Sequence, residues 1–184
     1  MRQRVLSPSA QCLWTCRRNG IRYSPRFFCV NVQRQKMQLY HWSLEERAYL
    51  YQKEYLVSTS SYGVGCQMNS FKTPLGLHRI ASKKGGGTPQ GTVFKARVPI
   101  GYTWKGMSEA KIAHRIFWLE GLEFGKNKGP GLDSFERYIY IHGVGDETTL
   151  GKPSSCGCIH LAASDLMPLF DRCRVGDLVW IEER

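Results

Sequence analysis

The stretch that can do covalent chemistry is Ile141-His142-Gly143, followed after an interval ending at Ser154 by Ser155-Cys156-Gly157-Cys158-Ile159-His160-Leu161. Nucleophilic cysteine catalysis needs a thiol, a base placed to take its proton, and donors aimed at the oxyanion that forms on the attacked carbonyl. Cys158 is the candidate nucleophile and His142 the candidate base. Gly157, directly before the nucleophile, lets the backbone turn tightly, which makes the amides of Cys156, Gly157 and Cys158 candidate oxyanion donors. An imidazole that accepts a proton at one nitrogen needs the other held, and the Gly143 carbonyl is the candidate holder. A nearby imidazolium or helix N-terminus lowers a thiol pKa from about 8.5; His142 and a helix expected shortly downstream offer both. Ser155, His160 and, farther upstream, His78 are candidate substrate contacts. Each has a structural alternative. Ser155 can cap a turn, His160 can face solvent, His78 can pack on a strand face, and Cys158 can be a buried inert thiol, as free cysteines usually are.

These residues must be held by a framework that reads as mainly β. Tyr138–His142 is a β-branched and aromatic run, as is Arg115–Leu119, and both read as interior strands. Phe27–Val32 and Lys36–Tyr40 flank the polar Gln33-Arg34-Gln35 and read as a hairpin. Further strands are expected at Tyr55–Thr59, Leu77–Ile80, Leu178–Ile181 and, from its alternation, across Thr92–Val98. Ala162–Arg172 is the clearest helix, with Ser164 able to cap and Leu166, Leu169, Phe170 and Cys173 at helical spacing. Lys83-Lys84-Gly85-Gly86-Gly87 reads as an exposed loop and lacks the G-x4-G-K-[ST] pattern of a phosphate cradle.

The 184 residues suit one domain. Apolar residues at 42% and charged residues at 22% exclude a disordered chain. No apolar run approaches the roughly 20 residues that span a bilayer, so no transmembrane segment is expected. The net charge of +11 is concentrated early: eight of the 26 Lys and Arg precede the first acidic residue, Glu45, and the other 18 face 15 Asp and Glu. Residues 1–26 therefore read as a basic, irregular extension, with Pro8 and Pro25 opposing long elements, and residues 27–184 as the catalytic domain. A basic arm invites an anionic polymer or lipid; no nucleic-acid-binding motif is present, and a solvated tail is the simpler reading. Met1–Ala10 has the basic start of a secretory signal without its apolar stretch. Seven cysteines leave at least one unpaired within the chain, with the pairing pattern open. The C-x3-C of Cys12 and Cys16 lacks further nearby ligands, so no metal site is expected. The oligomeric state is not legible.

The segment from His142-Gly143 to Ser155-Cys156-Gly157-Cys158-Ile159-His160 resembles the signature of the L,D-transpeptidase (YkuD-type) family, a His-Gly followed by [S/T]-x-G-C-[I/V]-x. Upstream, Ser58-Thr59, Gly63-Val64-Gly65 and Thr73-Pro74-Leu75-Gly76-Leu77-His78-Arg79-Ile80 are similar to the family's second block, in the right order. The resemblance covers roughly Phe27 to Ile181. It implies a YkuD-like β-sandwich with one or two short helices and a location in the cell envelope, in the periplasm or on the wall side. It also implies an acyl-enzyme on Cys158, formed from a peptidoglycan tetrapeptide stem with release of D-alanine and no cofactor. An amine acceptor, such as a second stem peptide, then resolves the thioester, with His142 acting first as base and then as acid. Water as acceptor gives an L,D-carboxypeptidase or related amide hydrolase. Carbapenems are the expected covalent inhibitors. Two positions depart from the pattern: Cys156 stands where the family commonly has His, and His160 where it commonly has Arg or Asn. Cys156 keeps a backbone amide but offers a second thiol able to pair with Cys158, and His160 cannot reproduce a planar guanidinium fork. A wall-binding module with impaired catalysis is the rival reading, which adduct formation on Cys158 separates from the enzyme.

Overall fold

The computed structural model describes residues 10–184; what was expected of residues 1–9 lies outside them. The expected hairpin forms from β1 (Arg26–Asn31) and β2 (Lys36–Ser43), and β2 continues antiparallel into β3 (Ala48–Ser58). The chain then adds β4 (Gly76–Lys84), β5 (Thr92–Lys95), β6 (Val98–Tyr102), β7 (Ala113–Gly121), β8 (Tyr140–Gly143), β9 (Ile159–Leu161) and β10 (Leu178–Glu182). Two short helices, α1 (Ala10–Arg18) and α2 (Ala163–Arg172), complete the described residues, and neither is long and apolar enough to cross a membrane. The protein is mainly β, as expected.

The strands form one sheet in the order β4-β10-β1-β2-β3-β9-β8-β7-β5-β6. Because β4 also pairs with β7, eight strands close a ring and the β5–β6 hairpin hangs from β7. Facing walls share a core in which Val30, Met37, Val57, Ile80, Leu119, Ile141, Ile159 and Val179 meet Leu166, Leu169 and Phe170 of α2. Burial of each such side chain contributes about 1.5–3 kcal/mol, which fixes the inward face of every strand and with it the register.

Several local expectations are corrected. Thr92–Val98 is not one strand: Ala96 (φ 47°) and Arg97 (φ 69°) both lie in the left-handed region and form a two-residue hairpin turn. Such turns match strand twist, but neither residue is a usual turn former. Residues 10–18 of the supposedly irregular extension are helical because Cys12 and Cys16, one turn apart, bury against Phe27, Tyr49, Leu77 and Trp180. Lys83 and Lys84 belong to β4, and the Lys83 ammonium donates to the carbonyls of Phe170 (2.5 Å) and Cys173 (2.7 Å), satisfying the open end of α2. Ser164 sits inside α2 rather than capping it; the Glu147 carboxylate takes the Ala163 amide at 2.6 Å. All seven cysteines are free thiols.

Candidate active site

β8 and β9 run parallel, with Ile141 opposite Ile159 and His142 opposite His160. Strand alternation sends Ile139, Ile141, Ile159 and Leu161 into the main core. Tyr140, His142, Cys158 and His160 are left to the other face, where Tyr140 and Cys158 share a small apolar cluster with Phe94 and Ile116. A parallel pair requires a crossover, and here it is residues 144–158, whose last turn delivers Cys158 to the start of β9.

That turn is fixed from several sides. Gly157 has φ 114°, and a Cβ there would meet the Lys72 carbonyl at 3.2 Å and Ile139 at 3.3 Å. Ser155 Oγ donates to the Cys158 carbonyl at 2.6 Å and accepts the Gly157 amide at 3.2 Å. Thr73 Oγ1 donates to the Gly157 carbonyl at 3.1 Å. Ser155 is therefore a buried brace of the turn, and it also lines the cavity beside Cys158. The Gly157 amide is engaged too, which removes it from the expected oxyanion set. Among the described residues, neither the Cys156 nor the Cys158 amide finds a backbone acceptor outside the strand ladders.

His142 is buried, and its Nδ1 lies 2.8 Å from the Gly143 carbonyl oxygen. A carbonyl only accepts, so Nδ1 carries the hydrogen and Nε2 keeps its lone pair for a proton. Burial, reinforced by His160 and opposed by the Gly143 bond, pushes the His142 pKa down to about 3. The Cys158 thiol is pushed up to about 11 by burial, with the Tyr140 backbone hydrogen bond and, more weakly, Arg137 pulling the other way. It donates to the Tyr138 carbonyl at 3.5 Å. This corrects the expectation of a depressed thiol pKa. The resting pair is a neutral thiol and a neutral imidazole, and the start of α2 lies beyond β9, with its first amide already taken by Glu147.

His160 lies beside His142, with ring centroids 4.9 Å apart, and its buried Nδ1 has no partner. It lines a cavity of about 340 Å³ with Cys158, Cys156, Ser154, Val144 and Ile112, and burial pushes its pKa down to about 4. His78 is not at this cleft. It is fully buried, with Nδ1 on the Gly76 carbonyl and Nε2 on Ser134 Oγ, both at 3.0 Å. Among the described residues no three His, Cys, Asp or Glu side chains converge as a metal site.

Sequence reasoning missed Arg137. Its guanidinium donates to the carbonyls of Gly65 (3.2 Å) and Lys72 (2.6 Å) and to Ser70 Oγ (3.2 Å), clasping the loop that packs on the turn before Cys158. No local motif marks it, because its partners lie some 65 residues or more away in sequence.

A β ring thus sets a cysteine just before one strand and a tautomer-fixed histidine on its parallel neighbour, an arrangement suited to cysteine-nucleophile chemistry. The family model of the YkuD L,D-transpeptidase catalytic domain matches residues 25–181, and the chain belongs to that family. No curated protein matches the chain in sequence. Solved structures match in fold: Bd1075 of Bdellovibrio bacteriovorus has a TM-score of 0.55 at 14% identity, with 88% of this chain and 48% of that one covered. The helical cell shape determining protein Pgp2 of Campylobacter jejuni gives 0.54 at 17%, covering 86% and 48%. LD transpeptidase LdtMt1, solved in complex with imipenem, gives 0.50 at 15%, covering 86% and 59%. The chain spans about half the length of these proteins.

Proposed function

We propose that this protein is a peptidoglycan L,D-transpeptidase of the cell envelope, with residues 27–184 as its catalytic domain, Cys158 as nucleophile and His142 as general base. The observation that supports the reading is the lock on His142: with Nδ1 held by Gly143, the remaining nitrogen keeps an open lone pair and shares a sheet face with the thiol. Sγ attacks the carbonyl that joins the third stem residue to D-alanine as its proton passes to Nε2. The amides of Cys156 and Cys158 receive the oxyanion. His142 then returns the proton to the departing D-alanine amine, leaving a thioester on Cys158. An acceptor amine attacks the thioester, its proton goes to His142, and the thiol is restored. His160, on the cavity wall, contacts the substrate. The exposed Arg17, Arg18 and Arg22 suit an anionic wall polymer.

The test is a tetrapeptide donor followed by intact mass and free D-alanine release. An acyl adduct on the wild type and none on Cys158→Ala is expected, and His142→Ala should slow acylation by about 10²–10⁴-fold. A full-strength adduct on Cys158→Ala rules the reading out. The partition of product between amine and water separates transferase from carboxypeptidase.

A further inference from the structure

We propose that Arg97 is a specificity-determining residue, which from the β5–β6 turn binds the free carboxylate of a donor that ends one residue beyond the bond Cys158 attacks. The proposal rests on the stem-peptide reading above and deepens it by naming the group that recognises the donor's end.

Ala96 and Arg97 both occupy left-handed backbone, a conformation that costs a non-glycine residue free energy and persists only where surrounding structure holds it. What holds Arg97 is an aromatic platform. Its guanidinium carbon lies 4.6 Å from the Trp118 ring centroid and 5.0 Å from that of Tyr138, and Nη1 donates to the Tyr140 hydroxyl at 3.1 Å.

The same two tyrosines bound the nucleophile. The Tyr138 carbonyl accepts from Cys158 Sγ, and Tyr140 packs in one cluster with Cys158. The guanidinium therefore stands a single aromatic side chain from the reacting sulfur. Tyr138, on which the guanidinium stacks, also lines a second cavity of about 270 Å³, which shares Cys156 with the cavity that Cys158 lines.

The charge is oriented but unpaired. Among the described residues no carboxylate lies within ion-pair distance of Arg97. A guanidinium has five N–H donors; one reaches Tyr140, and none of the others finds a protein acceptor among the described residues. A planar fork stacked on two rings has already lost most of its rotamer freedom and matches a carboxylate bidentately. D-alanine at the end of a tetrapeptide presents such a group one residue past the scissile carbonyl.

The test uses chloroacetyl-D-alanine and chloroacetyl-D-alaninamide, which carry an electrophile and, one residue on, a carboxylate or a neutral amide. Cys158 Sγ, as the thiolate formed by loss of its proton to solvent base, displaces chloride to form a thioether, so both reagents are compared at one pH. The wild type is expected to prefer the acid by about 10- to 100-fold, the range of one charge-assisted contact. Arg97→Gln should bring the ratio near one, and Arg97→Lys should leave part of it. A wild-type ratio of one, or a ratio that survives Arg97→Gln while both rates fall together, overturns the proposal. Turnover of the tetrapeptide, run alongside, separates the two readings. A preference that depends on Arg97 without stem turnover discards the donor assignment and keeps the carboxylate site. Stem turnover without an Arg97-dependent preference does the reverse.

Discussion

Thr73 Oγ1 donates to the carbonyl of Gly157 at 3.1 Å and in the same position accepts the amide of Ser60 at 3.0 Å. One buried hydroxyl thus joins the upstream motif block to the turn that carries Cys158. Thr73→Val keeps the shape and leaves two buried polar groups without partners, at about 1–3 kcal/mol each. We expect a denaturation free energy lower by about 2 kcal/mol or more and carbapenem acylation slowed by about 10-fold, with Thr73→Ser recovering most of both. Chemical denaturation and an intact-mass time course measure this. Acylation at the wild-type rate in Thr73→Val would show that the turn does not depend on the hydroxyl.

Gly157→Ala tests the same turn from its backbone. The new Cβ meets the Lys72 carbonyl at 3.2 Å, and φ 114° lies outside what alanine adopts without strain. Strain of this kind costs about 1–3 kcal/mol, and its relief must move Cys158 or the 71–72 backbone. Thermal unfolding at lower temperature and at least a 10-fold loss in acylation rate are expected. A variant that keeps both values would mean the glycine is dispensable.

The two proposed reacting groups were legible in the sequence because His142 ends a strongly β run and Cys158 stands in a short Gly-Cys motif, although the strand itself begins at Tyr140 and Tyr138 lies in left-handed backbone before it. The Gly143 contact was legible for the same reason, since the partner is the next residue. What lay beyond the sequence depends on long-range packing. His78 looked like a cleft residue until Ser134 and Gly76 enclosed it. Gly157 looked like an oxyanion donor until Ser155 Oγ claimed its amide. β9 is three residues long, too short for any periodicity, and exists because β3 and β8 flank it. The Ala96-Arg97 turn has no glycine or asparagine to announce it, and α1 was hidden behind its arginines although Cys12 and Cys16 already stood one turn apart.

The charge state of the pair sets a pH signature for reactivity. With the His142 pKa down at about 3 and the Cys158 thiol up at about 11, both groups are neutral from pH 5 to 8. Alkylation of Cys158 by iodoacetamide, which needs thiolate, should climb steadily through pH 7–10 with no low-pH plateau. Acylation by a carbapenem, in which His142 takes the proton as Sγ attacks, should be nearly flat over pH 5–8 and lose that flatness in His142→Ala. A plateau in alkylation below pH 7 would instead indicate a preformed thiolate–imidazolium pair.

Stability should fall on the acid side, and three histidines set where. Burial pushes His78, His142 and His160 from the ordinary 6.5 down to about 4, 3 and 4. Between 6.5 and those values the unfolded chain binds protons that the folded chain refuses, so stability rises with pH there. Their contribution is complete above 6.5 and is lost progressively as the solution is acidified toward pH 4. His78 separates the structural part from the catalytic part, since it lies away from the cleft with both nitrogens engaged. His78→Gln should therefore be less stable at neutral pH, through one or both lost hydrogen bonds, yet show a shallower decline between pH 6.5 and 4 because one reluctant proton acceptor is gone. Urea midpoints measured across that interval give both slopes. Equal slopes for the two proteins would mean that His78 takes up its proton in the folded core as readily as in the unfolded chain, contrary to the burial that encloses it.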